Sequence, residues 1–412
     1  MTAPLLLSLI GSGILVELVL AIGFLFWRRR TPMHRARVAV DDRSLPAEAP
    51  VWQRFRVAAR QYEDASHSQC SFYLEPVDGA ALRPFRPGQF LTFSMAWPDG
   101  SSPEMPDDPI LTRCYSLSDR PDPAHYRVTI KRVDAPAGRP DAPGGRASGH
   151  FDARVQVGDT LQAKAPAGQF CIDADPAIPV VLIAGGIGLT PLLSMLLWCL
   201  NEQPGRQLHL YCGVRDSTVH AFKQPLEQLA LAHPEFNLHI VYSRPAPGDA
   251  AGLDFRHRGH VDLDLVRTTL PHGRHHFYVC GPAAMMSSLV PALARWGVAP
   301  QDIRSEAFGP ASLASEGPPV GAHSEPPERF ELQFKRSGRT LVWGEHDESL
   351  LDFALRHGVA MDSGCRAGSC GSCETRLLSG AVRYAMPPDH EPAPGYCLPC
   401  VSRPTCALVL QA

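Results

Sequence analysis

The sequence predicts several domains in series: an apolar amino-terminal span, an antiparallel β-barrel, a parallel α/β domain and a small cysteine-rich domain. Three observations carry that prediction. The chain has 412 residues, too many for one ordinary core. Its texture changes near residue 176, from short alternating strands to buried strands separated by helical stretches. Six of its 12 cysteines (Cys365, Cys370, Cys373, Cys397, Cys400, Cys406) lie beyond residue 364.

Composition narrows the function classes. Hydrophobic residues make up 44% and charged residues 20%, which excludes wholesale disorder. A net charge of −3 argues against nucleic acid as a partner, because phosphate binding needs a basic surface. Forty prolines indicate many ordered loops and at least one stiff linker.

Residues 3–27 begin APLLLSLIGSGILVELVLAIGFLF, with Glu17 as the only charge before Trp27 and Arg28, Arg29 and Arg30. The run is long enough to cross a bilayer as a helix of about 20 residues. The basic collar follows the apolar run rather than preceding it, so an uncleaved anchor is expected, with the body on the cytoplasmic side of the inner membrane. A reducing compartment disfavours disulfides, and the cysteine cluster then reads as metal ligands.

A polar spacer, 28–50, leads into the barrel region, 51–175. There QCSFYLEPV, QFLTFSMAW, YRVTIKRV and DTLQAKAPA read as short strands between Gly, Pro and Asp. In 176–310, PVVLIAGG, QLHLYCGV, NLHIVYSR and HHFYVCGP read as strands of a parallel sheet. A proline-containing linker, 311–328, precedes the last domain, 329–412.

Cys365, Cys370 and Cys373 form C-x4-C-x2-C, the spacing of plant-type 2Fe–2S ferredoxins. A loop that offers three thiolates to one cluster needs unusual turns, which Gly364, Gly368 and Gly371 permit. A zinc ribbon would need two C-x2-C knuckles, which the Cys365–Cys373 stretch lacks. The fourth ligand comes from Cys397, Cys400 or Cys406.

The turn Ala184-Gly-Gly-Ile-Gly-Leu-Thr190 follows a strand and opens a helix, where a pyrophosphate can approach bare backbone. It is not the G-x-G-x-x-G fingerprint, and glycine turns there also serve packing alone. Its companions are more telling. Arg113-Cys-Tyr-Ser116 resembles the R-x-Y-S flavin motif of the ferredoxin–NADP reductase superfamily. On a strand, Arg113 and Tyr115 share a face and Cys114 points away. Pro87-Gly-Gln-Phe90 resembles the P-G-Q-aromatic motif, Gly145-Arg-Ala-Ser148 the G-x-x-S phosphate turn, Cys280-Gly-Pro282 the C-G-P motif, and Glu306-Ala-Phe-Gly-Pro310 the E-x-F-G-P ending of flavohaemoglobin-type reductases.

The resemblance covers residues 51 to 412. It implies a flavin barrel, a nucleotide domain and a β-grasp 2Fe–2S ferredoxin domain, in the order found in phthalate dioxygenase reductase and hybrid-cluster-protein NADH reductase. The sodium-pumping quinone reductase subunit has an anchor but places its ferredoxin before the flavin domain, and this chain departs from that order. By resemblance Cys400, which follows a Leu-x pair, is the fourth ligand, and Cys397 and Cys406 are packing thiols. Gln89, Phe90, Arg113, Tyr115, Ser116, Lys131, Gly145 and Ser148 fall on the flavin side, with FAD favoured over the FMN of the phthalate-type enzymes. Gly185, Gly186, Gly188 and Thr190 cradle the nucleotide pyrophosphate, with Gly281, Pro282 and Phe308 near the nicotinamide. Cys280 lies beside the reacting carbon, and Glu306 tunes or protonates the flavin environment; both also read as ordinary buried or loop residues.

NADH or NADPH is the co-substrate. Arg215 and Arg244 could hold a 2′-phosphate, but Asp216 beside Arg215 would repel it, which favours NADH. The expected activity is NAD(P)H:acceptor reduction through FAD and the cluster to a partner at the membrane such as a desaturase, hydroxylase or oxygenase. The competing readings are a quinone or dye reductase without a protein acceptor, and an anchored interaction module with vestigial redox sites.

Overall fold

In the computed structural model, the residues described are 52–96, 110–135, 144–308 apart from 174, and 329–412 apart from 345–348, 367, 369, 385–387 and 389. The expected amino-terminal span, the spacer and the 311–328 linker lie outside them. Among the described residues no helix is long and apolar enough to cross a membrane.

Six strands build the first sheet: β1 (Gln53–Tyr62), β2 (Gln69–Pro76), β3 (Phe90–Ala96), β4 (Ile110–Ser116), β5 (Tyr126–Lys131) and β6 (Thr160–Ala163). Their order is β4-β3-β6-β1-β2-β5, and every pairing is antiparallel. Just beyond β4, Ser118 N donates to Arg127 O (2.8 Å) and Leu117 bridges Val128, which draws the two edge strands together. Phe55, Phe72, Phe93 and Phe151 fill the interior, the last from helix α1 (Arg146–Ala153). β1 was legible only as part of a β-rich region, because its sequence QRFRVAARQY interleaves charges and alanines.

The second sheet is parallel, in the order β10-β9-β8-β7-β11-β12. It comprises β7 (Val180–Gly185), β8 (Leu208–Val214), β9 (Phe236–Tyr242), β10 (His257–Arg258), β11 (His276–Gly281) and β12 (Ile303–Ala307). β7 is a continuous apolar run because helices cover both of its faces; Val180, Val181, Leu182 and Ile183 are fully buried, each worth about 1.5–3 kcal/mol. Helices α2 (Leu189–Glu202) and α3 (Lys223–Ala232) pack on one face, and α4 (Leu263–Thr269) and α5 (Ala283–Arg295) on the other. Strand order reverses between β7 and β11, so a crevice opens at their carboxyl ends.

The barrel and this sheet meet at defined hydrogen bonds. Ser194 Oγ donates to Asp119 O (2.6 Å), and Gln69 Nε2 donates to Val219 O (2.9 Å).

In the last region β13 (Phe330–Phe334), β14 (Arg339–Trp343), β15 (Thr375–Ser379), β17 (Tyr396–Cys397) and β19 (Leu408–Leu410) form a mixed five-stranded sheet. β16 (Val382–Tyr384) and β18 (Ser402–Pro404) form a two-stranded ribbon. Helix α6 (Leu350–Arg356) packs Leu350, Leu351 and Phe353 into the core of this region. Ser349 caps it by accepting from Asp352 N (3.1 Å). A mixed sheet clasping one helix agrees with the expected β-grasp.

Candidate functional site: a nucleotide crevice, a flavin-side strand and a thiol loop

β7 delivers Gly185, Gly186 and Gly188 to the start of α2, and β11 delivers Cys280, Gly281 and Pro282 beside them. Cys280 is in register with Ala184 on one side and Glu306 on the other. The two segments touch backbone to backbone. A Cβ on Gly188 would lie 2.2 Å from the Cys280 carbonyl oxygen, and one on Gly281 would lie 3.0 Å from the Gly185 backbone. Gly186 has φ +53°, a left-handed turn that glycine adopts without strain. Thr190 is buried and its hydroxyl donates to Ile187 O (3.0 Å), holding the turn closed. Cys280 is fully buried, and burial first and the Glu306 charge second push its thiol well above the usual range, so it stays protonated. Phe308 is 38% exposed beyond β12.

Arg215 Nε donates to Asp216 Oδ2 (2.7 Å), and Arg244 N donates to Arg215 O (2.8 Å). Burial opposes ionisation of Asp216, but its bonds from Thr218 and Arg215 outweigh that and hold its carboxyl below the usual value. The Arg215 cation is therefore already paired.

On the barrel, β4 carries Arg113, Tyr115 and Ser116, with Phe90 opposite Ser116, Thr92 opposite Cys114 and Phe93 opposite Arg113. The Tyr115 ring packs at 5.3 Å from Phe151 and 5.9 Å from Phe93, and burial keeps its phenol protonated. Arg113 is lowered, by burial first and then by a second guanidinium, Arg366. Two neighbouring cations, one desolvated, are the electrostatic condition that an anionic group relieves. The Gln89 side chain bridges two segments: Oε1 accepts from Arg86 N in its own turn (2.9 Å), and Nε2 donates to Gly168 O (3.3 Å). Phe90 is buried beneath Gly168. Gly145 precedes α1, and Ser148 Oγ accepts from Val133 N and donates to Gly145 O, both at 3.1 Å. Lys131 ends β5, exposed and opposite Gln69.

The thiol loop follows α6. Cys373 Sγ and Cys400 Sγ are 3.1 Å apart, and Cys370 Sγ accepts from Cys365 N (3.2 Å) and contacts the Cys365 thiol. Among the described residues no three such side chains converge on a single metal ion. The thiols instead stand as two pairs, Cys365 with Cys370 and Cys373 with Cys400, which is the donor set a two-iron cluster needs. Within these contacts Cys370 is drawn down, first by Cys114 and then by Cys365, while Cys373 is drawn down and Cys400 pushed up, each first by the other. Gly364 allows the loop to close, since a Cβ there would lie 2.7 Å from the Cys370 sulfur. Cys397 is fully buried, its thiol pushed up to about 12 by burial, and Cys406 Sγ accepts from Ala381 N (3.2 Å).

Sequence reasoning missed one junction. The side chain of Cys114, which the strand pattern turns away from Tyr115, hydrogen-bonds to Cys365 and Cys370. Periodicity could say that Cys114 faces away from the flavin motif, but not what it faces.

Comparisons with known proteins agree with this geometry. The family described as "Oxidoreductase NAD-binding domain" matches residues 182–290, and "2Fe-2S iron-sulfur cluster binding domain" matches residues 332–405. A flavohemoprotein of Rhodopirellula baltica is 39% identical over 58% of this chain and 57% of its own length, and one of Rhizobium meliloti is 36% identical over 64% and 62%. The chain thus spans about three fifths of the length of these relatives. Phthalate dioxygenase reductase, whose structure is described as modular for electron transfer from pyridine nucleotides to [2Fe-2S], aligns with TM-score 0.53 and 26% identity over 88% of this chain and 98% of its own. The flavohem-like FAD/NAD binding domain of a nitric oxide dioxygenase from Vibrio cholerae aligns with TM-score 0.54 and 29% identity over 63% and 99%. These likenesses support FAD, a 2Fe–2S cluster and NAD(H) as cofactors. A stretch matched by the oxidoreductase NAD-binding domain family and one matched by the 2Fe–2S iron–sulfur cluster binding domain family are joined here in one chain.

Proposed function

We propose that the protein takes electrons from NADH and passes them, one at a time, through FAD and the 2Fe–2S cluster to an oxygenase-type partner at the inner membrane. The observation that carries this reading is strand β4, whose Tyr115 faces the barrel interior while Cys114, next to it, meets Cys365 and Cys370. One strand thus joins the flavin side to the thiol loop.

Bound FAD supplies the conversion between two-electron and one-electron transfer, because nicotinamide gives a hydride and the cluster accepts single electrons. The chain's own residues do the rest. Gly185, Gly186 and Gly188 hold the nucleotide pyrophosphate against bare backbone at the start of α2. Cys280 stays protonated and closes the floor of the crevice without adding charge. Arg113 offers a half-buried guanidinium to the flavin phosphates, and Ser116 a hydroxyl to its ring. Cys365, Cys370, Cys373 and Cys400 would hold the 2Fe–2S cluster, which would accept the single electrons. The Arg215–Asp216 pair favours NADH, since a 2′-phosphate would meet a neutralised arginine and a carboxylate.

Residues 3–27 tether the body to the membrane through the 28–50 spacer, with the body on the cytoplasmic side, and tethering raises the effective concentration of a membrane-bound acceptor. Purified protein is expected to hold about one FAD and one 2Fe–2S cluster per chain, both bleached by NADH. Removing residues 1–30 is expected to leave NADH-to-ferricyanide rates unchanged while slowing reduction of a membrane acceptor. FMN in place of FAD, or no cluster iron, would refute the cofactor assignment, and external protease cutting the body in spheroplasts would refute the topology.

A further inference from the structure

The barrel and the nucleotide sheet meet at a joint to which the proposed electron path assigns no role. On the barrel it is the loop between β1 and β2, shaped by the buried Asp64, whose carboxylate accepts from Ser68 N (3.0 Å) and Gln69 N (2.7 Å). On the sheet it is the segment between β8 and α3, where the Asp216 carboxylate accepts from Thr218 N (3.0 Å). Two backbone bonds cross between them: Ser66 N donates to Thr218 O (2.8 Å), and Phe222 N donates to Glu63 O (3.1 Å). Among the described residues three non-glycine residues have left-handed φ, and two of them, His67 at +52° and Phe222 at +58°, stand in these facing segments. A bulky residue holds that conformation only where its surroundings impose it, and such strain collects at functional sites.

The Phe222 ring is buried, and the Arg127 guanidinium, on β5, lies over it at 5.2 Å. The same guanidinium donates to Ser118 O and lies 3.4 Å from Asp119 Oδ2, both just beyond strand β4 with its Arg113, Tyr115 and Ser116. Asp119 O in turn accepts from Ser194 Oγ (2.6 Å), on α2 one helical turn past Thr190. Contacts thus run from the flavin strand through Arg127 to Phe222 at the start of α3. They return through Ser194 to the helix that opens at the pyrophosphate turn. We propose that Arg127 and Phe222 are positioning residues for hydride transfer: their contact latches the nucleotide domain on the flavin strand and so sets the approach of the nicotinamide to the flavin. In that step one hydrogen leaves NADH with two electrons, NADH becomes NAD⁺, and the flavin gains the same hydrogen and the same electrons. Neither residue touches a reactant; both act through the spacing of the two domains. A misplacement of roughly 1 Å costs on the order of a hundredfold in rate, so the latch bears on the rate more than on nucleotide affinity. The proposal rests on reading the barrel as the FAD site and the crevice as the NADH site.

The test uses the full chain with its cofactors bound, as wild type, Phe222→Leu, Arg127→Met, Arg127→Lys and Ser194→Ala. Stopped-flow reduction of the flavin by NADH gives a limiting rate and a nucleotide dissociation constant. Hydrogen exchange, read before any NADH is added, follows the crossing amides at positions 66 and 222. Phe222→Leu and Arg127→Met are expected to lower the limiting rate about tenfold, short of the loss from a full 1 Å misplacement, with the dissociation constant kept within about twofold. Both are expected to speed exchange at the two crossing amides. Arg127→Lys, which keeps a cation over the ring, is expected to recover roughly half of the lost rate or more. A wild-type limiting rate in Phe222→Leu overturns the proposal while leaving the cofactor reading intact. A slower rate with unchanged amide exchange, with equally weakened nucleotide binding, or without recovery in Arg127→Lys also overturns it, since the two residues would then serve the fold or binding alone. No flavin reduction by NADH in wild type overturns the cofactor reading, and the latch with it. If Phe222→Leu does not fold, Arg127→Met and Ser194→Ala decide. Slower reduction in both with nucleotide affinity kept supports the proposal, and a wild-type rate in either overturns it.

Discussion

At Gly188 a methyl group would lie 2.2 Å from the Cys280 carbonyl oxygen, whereas at Gly364 it would lie 2.7 Å from the Cys370 sulfur. Both glycines make room, but for different things. The nucleotide turn is clamped by its own backbone at the point where the sheet reverses order, so its shape is complete before any nucleotide arrives. The cluster loop is shaped around sulfur atoms that stand in two pairs, and its geometry is finished by what those sulfurs bind. A preformed cradle is sensitive to added volume, and a donor set is sensitive to the identity of its donors.

The largest expected effect falls on the donor set. Cys400→Ser should abolish cluster absorbance while NADH-to-ferricyanide activity survives, because that route can leave from the flavin. Cys397→Ser should keep the cluster, its thiol being buried at the end of β15's partner strand rather than paired across the loop. The reverse pattern would break the comparison, since the loop would then not be held by the pair at 3.1 Å.

Next comes added volume in the cradle. Gly188→Ala should cost about 1–3 kcal/mol in denaturant unfolding. Flavin reduction by NADH should slow on the order of a hundredfold, the effect of a roughly 1 Å misplacement. At Gly186 the same methyl meets open space, and only the left-handed φ is strained, so Gly186→Ala should cost about 1–2 kcal/mol. Equal kinetic losses in the two variants would show that the Cys280 contact does not set the turn.

A third effect arises at the opposite end of the same sheet. His239 stacks on Tyr211 at 4.5 Å, with His209 at 6.4 Å and His257 at 5.7 Å. Burial first, and then neighbouring cationic histidines, push His209 and His239 down to about 4. The unfolded chain takes up these protons near pH 6.5 and the folded one resists them, so stability should fall as pH drops from about 6.5 to about 4. Asp216, Asp254 and Asp302 are held below their ordinary value and act in a lower window, beneath about pH 4. His239→Phe keeps the stack and removes the titration. Thermal unfolding across pH 4–7 should then flatten, and an unchanged slope would locate the acid sensitivity elsewhere.

The smallest effect concerns nucleotide choice. Asp216→Asn keeps the hydrogen bond from Thr218 N (3.0 Å) but frees Arg215. The ratio of kcat/KM for NADPH over NADH should rise about tenfold, equivalent to 1.4 kcal/mol. No change would mean that Arg215 does not reach the ribose.

The same contrast explains what the sequence disclosed. Short-range signals were readable: C-x4-C-x2-C, the glycines after an all-apolar strand, and the alternation that separates Tyr115 from Cys114. Local pattern could not reveal that Gly188 is pinned by Cys280, because that contact joins strands 92 positions apart in number and adjacent only through sheet order. Nor could it reveal Cys114 against Cys370, which depends on how a barrel and a ferredoxin-like region meet. The Gln89 side chain joins Arg86 in its own turn to Gly168 far along the chain, a bridge that the P-G-Q spelling does not announce. The histidine stack escaped notice because its members lie on three strands.

The central claim is that electrons from NADH reach the cluster through the barrel. An anaerobic stopped-flow mixing of NADH with the holoprotein, followed by rapid-freeze EPR, tests it most directly. The account predicts loss of flavin absorbance first, then a reduced-cluster EPR signal approaching one spin per chain, with the second phase absent in Cys400→Ser. Flavin reduction with the cluster remaining oxidised under excess NADH would contradict it.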